Sequence, residues 1–210
     1  MNIIAPSFEI IDKINGEDII RKVEIAARNC YKSEEHIGSV EKTRSFISGI
    51  IKSGHESTIE HVSISVRIIC DRGVSHEIVR HRVASYSQES TRYCNYKTDG
   101  KGMTFIWPSF FGSQYEEREK ALVWKKAMEN AEESYNELIK MGAKPEEARS
   151  ILLNSLKTEI VMTMNLRSWR NFFKQRTSKF AHPQIKEIAR PMLDEFKKRV
   201  PVIFDDINYE

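Results

Sequence analysis

The chain reads as α+β: a single domain over residues 1–210 with a central, mostly antiparallel sheet flanked by helices, one of them long. Three observations predict this. The first is size and composition. With 210 residues, 40% hydrophobic and 30% charged, there is enough chain for one domain with a real core and barely enough for two. The second is a change of period, from helical stripes to strict alternation at 62–70 and back again. The third is spacing. The few strand-like stretches are separated by helical ones, and no repeat or low-complexity run occurs.

Each element follows in order. Residues 2–12 alternate loosely and predict a strand. Ile19, Ile20, Val23, Ala26, Ala27 and Cys30 form a stripe that predicts a helix over 16–31. A second helix is expected over 39–53, with Ser39 as N-cap, an apolar set of Phe46, Ile47, Ile50 and Ile51, and Gly54 as the stop. In 58–70 the period becomes two: Val62, Ile64, Val66, Ile68 and Cys70 alternate with Ser63, Ser65, Arg67 and Ile69. A short helix is expected from Ser75 to Arg82, then a polar stretch, 84–97, read as loop able to hold a short strand. Residues 103–107 make a short strand closed by Pro108. A long amphipathic helix over 116–141 shows a core face of Leu122, Met128, Ala131, Tyr135, Leu138 and Ile139, and ends at Gly142. Pro145 suits the first turn of a helix over 145–156. A strand over 158–166 follows, and Ser168 is expected to cap a helix running to Arg176. Pro183 opens a last helix to about 199, in which Pro191 predicts a kink or break.

Charge and cysteines narrow the function. The net charge is +3, a mild basicity that suits anionic small molecules at least as well as nucleic acid. Cys30, Cys70 and Cys94 are odd in number and form no CxxC, which argues against a disulfide framework or a zinc site. The first residues show no charged leader with an apolar run, and no window approaches 18 consecutive apolar residues, so a cytoplasmic protein with no membrane partner is expected. None of the nine glycines forms GxGxxG, and no P-loop occurs.

The segment Arg80-His81-Arg82 carries the most chemistry. Successive helical residues point about 100° apart, so the three must splay and reach different partners. Arginine forks match phosphate and carboxylate oxygens. The segment is either a solvated basic turn or an anion clamp. The next ten residues, Val83 to Arg92, add four aliphatic hydroxyls, an amide, a carboxylate and another arginine. Such a loop grips sugar, base edge and phosphate, or is simply a hydrophilic surface. Upstream, His55 and His61 flank Glu56 and Glu60, but six residues apart on a helix they face roughly opposite sides. Gly54 and β-branched Thr58 and Ile59 favour a helix-to-strand turn there, and no metal is expected.

Arg80-His81-Arg82, seven residues, then Ser90 resembles the signature of the flavin-dependent thymidylate synthases. Flanking pieces match in order: His55-Glu56-Ser57-Thr58-Ile59-Glu60-His61, Glu147-Ala148-Arg149, and Asn165-Leu166-Arg167-Ser168-Trp169-Arg170-Asn171-Phe172-Phe173-Lys174-Gln175-Arg176. Three departures stand out. Glu77 stands where many members have Gln, Leu153 where relatives often have Pro, and two extra residues separate Arg176 from His182.

The resemblance implies reductive methylation of dUMP to dTMP, with 5,10-methylenetetrahydrofolate as carbon donor and NADPH as reductant through FAD. It implies that Ser57, Arg80, His81, Arg82, Gln88, Asn165, Arg167, Asn171 and His182 hold FAD. It places dUMP on Glu77, Arg80, Gln88, Glu89, Ser90, Thr91, Arg92, Arg149 and Arg176. It makes Arg176 the catalytic residue and Ser90 a ligand rather than a nucleophile; Cys94, with no sign of activation beyond nearby Arg92, reads as a small buried or neutral thiol. It also implies a homotetramer with shared active sites. The competing reading is a single-stranded nucleic-acid-binding module. Its support is the run 165–179, where Arg167, Arg170, Lys174, Arg176 and Lys179 interleave with Trp169 and Phe172.

Overall fold

The structure is a computed structural model that describes residues 1–96, 102–112 and 118–209. Residues 116 and 117 of the expected long helix, and residue 97 of the polar stretch, lie outside them.

The chain opens with two short strands, β1 (Asn2–Ile4) and β2 (Ser7–Ile10), because Ala5-Pro6 interrupts the single strand expected there. Helix α1 (Gly16–Tyr31) starts where the Asn15 side chain accepts from the Glu17 and Asp18 amides, and ends at Lys32 with φ 49°. Helix α2 (Val40–Lys52) follows, with Ser39 in the N-cap position but its side chain off the backbone amides. A 3₁₀ segment, Glu56–His61, leads into β3 (Ser63–Asp71). Then come α3 (Arg72–Ile78), β4 (Ser85–Gln88), β5 (Thr104–Ile106), the long α4 (Arg118–Lys140) and α5 (Pro145–Ala148). The last elements are β6 (Lys157–Asn165), α6 (Leu166–Arg176) and α7 (Pro183–Arg199). The mixture is the α+β expected. Strands β2-β3-β6-β4 form an antiparallel sheet in that order, and β1 pairs in parallel with β5.

The described residues gather into two compact units of interleaved segments. The first comprises Met1–Phe8, Arg67–Arg80 and Tyr86–Val161. Its core is Met103, Phe105, Met128, Tyr135, Ala148 and Leu156. The second comprises Glu9–Val66, His81–Ser85 and Met162–Glu210. Its core centres on Trp169, Phe172, Phe173, Phe196 and Phe204, all buried, with Trp169 stacked on Phe173 at 5.6 Å.

Several expectations need correction. The helix expected at 75–82 is displaced to Arg72–Ile78: it starts early because Asp71 caps it, its carboxylate accepting from the Val74 amide at 2.7 Å, and it ends at Ile78. The helix expected at 145–156 closes after Ala148 and passes into a 3₁₀ turn, Arg149–Ile151. Asn165, not Ser168, caps α6: its side chain accepts from the Ser168 amide at 2.8 Å. Helix α7 runs continuously through Pro191. The loss of one ladder bond is offset by the burial of Ile188, Ala189, Met192 and Leu193 around it. On α4 the core side begins at Ala121, so Leu122, about 100° away, is 57% exposed. On α1 the buried stripe is Ile20, Val23, Glu24, Ala27 and Arg28, whereas Cys30 is exposed. The Glu24 carboxylate is satisfied there by Arg28 (2.8 Å) and Thr43 (2.5 Å), which is why a charged pair can occupy the inner face.

Candidate functional site

In the first unit, β4 ends at Gln88 and Glu89 follows it directly. The Gln88 amide donates to Ser75 Oγ (2.9 Å) and Thr158 Oγ1 (3.2 Å), and the Glu89 N–H donates to the Glu159 carbonyl (2.8 Å). The chain then turns: the Cys94 N–H reaches the Ser90 carbonyl at 3.0 Å, and the Arg92 N–H reaches Ser90 Oγ at 3.3 Å. Among the described residues no carboxylate or imidazole is bonded to Ser90 Oγ, which therefore has no general base to make it a nucleophile.

Helix α5 explains Arg149. The Glu147 carboxylate accepts from the Lys144 N–H at 2.8 Å, Ala148 packs into the core, and Arg149 emerges at the helix end. Its guanidinium donates to the buried Thr91 Oγ1 at 3.4 Å, so Arg149 lies beside the 88–92 turn. Arg92 meets Glu146 only at 3.8 Å, with both side chains about half exposed. Such a pair is weak and open to exchange for a ligand anion. Glu77 stands in the last turn of α3, its carbonyl accepting from the Arg80 N–H at 3.3 Å. The residues missed by sequence reasoning are Lys157 and Tyr96, which bond the Glu89 carboxylate at 2.9 and 3.1 Å. The two-residue period of β6 put Lys157 on the half-buried face, and that was the available signal.

In the second unit the motif residues follow the end of α3. His81 is buried and Arg82 is exposed. The imidazole lies edge-on to Phe172 at 5.0 Å, and its Nε2 accepts from Arg176 Nε at 3.0 Å. An arginine Nε–H can only donate, so this ring nitrogen carries no proton. Burial, and then the Arg176 charge, pull His81 down from 6.5 to about 4. The ring is therefore neutral at neutral pH, and it orients the guanidinium without cancelling its charge.

The remaining residues of this unit fall into separate groups. Ser57 and Arg167 line one hollow of about 450 Å³, together with Cys30, Tyr31, His55 and Glu56. Arg167 donates to Glu60 at 2.6 Å. Asn165 is held as the cap of α6, and Asn171, exposed, accepts from Gln175 at 3.0 Å. His182 occupies the N-cap position of α7. Arg170 is buried among Glu56, Asp206 and the Ile203 carbonyl, a structural tie. Among the described residues no group of three or more His, Cys, Asp and Glu side chains is placed to hold a metal ion, and no helix is long and apolar enough to cross a membrane. Trp169 and Phe172, the aromatics behind the nucleic-acid reading, are inside the core and unable to stack on bases.

Within residues 80–92 three arginines stand against one glutamate, with hydroxyls and an amide among them, so fold and composition define the class: an α+β protein with a segment chemically suited to small anions. Residues 9–202 match the family described as thymidylate synthase complementing protein, and the chain belongs to that family. It is 40% identical over 151 residues to the flavin-dependent thymidylate synthase of Pyrococcus abyssi, covering 71% of this chain and 61% of that protein. It is 36% identical over 191 residues to the flavin-dependent thymidylate synthase of Geobacter sulfurreducens, covering 88% and 80%. The enzyme of that name from Corynebacterium efficiens is 30% identical over 205 residues, covering 90% and 79%. The chain thus spans about three fifths of the archaeal relative's length and about four fifths of the two bacterial ones.

Proposed function

We propose that the chain is a flavin-dependent thymidylate synthase that converts dUMP to dTMP with 5,10-methylenetetrahydrofolate and NADPH. The observation that carries this is the Arg176–His81 bond. Two segments that each carry the family resemblance, ninety-five positions apart, meet in one pair that sets the Arg176 guanidinium on a neutral imidazole.

The donor set fits FAD. Arg80 and Arg82 are exposed, and among the described residues no carboxylate lies within ion-pair distance of either, which suits a ligand with two phosphates. When bound, FAD supplies the hydride transfer that no side chain can carry. Ser57, Arg80, His81, Arg82, Gln88, Asn165, Arg167, Asn171 and His182 are the residues proposed to hold it.

For dUMP, Arg149 and Arg92 supply cations for the phosphate, and Ser90 and Thr91 supply hydroxyls beside them. Gln88, Glu89, Glu77 and Arg80 complete the proposed nucleotide set. Arg176, oriented by His81, stabilises the negative charge that develops on the uracil as its ring is activated for attack through C5. Both Ser90 and Cys94 are left out of covalent chemistry. We further propose a cytoplasmic homotetramer that shares active sites and binds small molecules rather than nucleic acid.

The test is complementation of a thymidine-requiring strain. The gene should restore growth without thymidine, and Arg176→Ala should not. Purified protein should be yellow, with flavin absorbance at roughly 450 nm. Colourless protein that cannot be reconstituted with FAD would overturn the reading.

A further inference from the structure

Lys157 opens β6, and the strand period puts Lys157 and Glu159 on one half-buried face and Thr158 on the other, buried one. The Lys157 ammonium sits between two carboxylates, 2.9 Å from Glu89 Oε2 and 2.6 Å from Glu159 Oε1. The second Glu89 oxygen accepts from the Tyr96 hydroxyl at 3.1 Å. Tyr96 is itself held edge-on against Tyr135 at 5.9 Å. Since the Glu89 main chain is bonded to β6 as well, both the position and the orientation of this carboxylate are fixed.

The Lys157 and Glu89 side chains are only 20% and 17% exposed, so solvent screens their attraction poorly. Burial alone would lower Lys157, but its hydrogen bonds to Glu159 and Glu89 outweigh that and raise it, so it stays charged. Burial, and then the Glu89 charge, push the Tyr96 phenol up, so it stays a neutral donor. A carboxylate has about four acceptor sites, and these two bonds leave room for more. An anion held this way repels phosphate and rewards a hydrogen-bond donor.

We propose that Lys157 and Tyr96 are positioning residues that aim the Glu89 carboxylate at a hydrogen-bond donor of the bound nucleotide, a sugar hydroxyl or a ring N–H. This rests on the functional reading above. The nucleotide phosphate then falls to Arg149 and Arg92, and the neutral edge to Glu89.

The experiment is calorimetric titration of dUMP into the purified protein and its variants. Lys157→Met should raise the dUMP Kd about tenfold, and Tyr96→Phe, which keeps the ring, about threefold. Lys157→Arg should recover most of the loss, and FAD affinity should not move. Glu89→Gln/Lys157→Met should bind no more weakly than Glu89→Gln alone, since both changes act through one carboxylate. Among dUMP analogues lacking the 3′-hydroxyl or methylated at N3, the one insensitive to Lys157→Met identifies the donor. An unchanged Kd in Lys157→Met, additive losses in the double variant, or equal sensitivity of both analogues would overturn the inference while leaving the functional reading intact. Failure of the wild-type protein to bind dUMP would instead overturn that reading, and this inference with it.

Discussion

Arg176 is held at its Nε by the His81 ring, which is neutral at neutral pH and therefore orients the guanidinium without itself offsetting the charge. Replacing Arg176 by alanine should lower kcat by about 10²–10³, as for loss of one charge-stabilising donor in other enzymes, and Arg176→Lys should recover little because it lacks the Nε–H. Steady-state turnover of dUMP measures both. His81 carries a pH signature. Its folded value is about 4 against an ordinary 6.5, so between those values the unfolded chain binds a proton that the folded chain refuses. Stability should therefore fall as pH drops from 6.5 towards 4, and His81→Asn should flatten that part of the curve. Urea denaturation of flavin-free protein at pH 7 and pH 5 tests this. Cys94→Ala should retain activity, because the Cys94 backbone, not its thiol, closes the turn at Ser90. Complete loss of turnover in that variant would sink the proposed chemistry.

At the scale of elements, α6 does most of the positioning in the second unit. Its N-terminus is fixed by Asn165, and its inner face by Trp169, Phe172 and Phe173. Asn165→Ala should cost about 1 kcal/mol through the lost cap, read as a shift in the urea midpoint. Arg170, 2% exposed at its side chain, ties the same helix to the chain after α7 through two bonds to Asp206, at 2.6 and 2.8 Å. Its hydrogen bonds hold Asp206 below the usual carboxylate range. That contribution is present above the ordinary Asp value and is lost as pH falls through the folded one. Asp206→Ala should cost about 1–3 kcal/mol at pH 7, and less in acid, because it strips a buried guanidinium of an anion.

For the whole molecule, the functional reading commits to an assembly. Light scattering should report a particle of four times the 24.5 kDa chain, and flavin should co-purify with it. A monomer that nevertheless turned over dUMP would refute the shared-site arrangement and leave the chemistry standing. The two compact units also show why the motifs are scattered in sequence. Arg149 reaches Thr91 in one unit and Arg176 reaches His81 in the other, each across a long stretch of chain.

The sequence by itself determined the α+β class, the bounds of α1 and the alternation of β3, because these rest on periodicity, which local residues encode. It also marked the segments that carry the resemblance to the family whose model matches residues 9–202. Tertiary structure decided the rest. Glu24 and Arg28 lie inside because Thr43, on another helix, helps satisfy the carboxylate, and no local pattern announces such a partner. Leu122 is exposed and Ala121 buried because helix rotation is set by what packs against it. Nothing near Arg176 in the chain reveals that a desolvated, neutral His81 accepts its hydrogen bond. Nothing near Glu89 reveals that Lys157 and Tyr96 hold both its oxygens. Such pairings depend on burial and on distance through space, and only the folded chain fixes either.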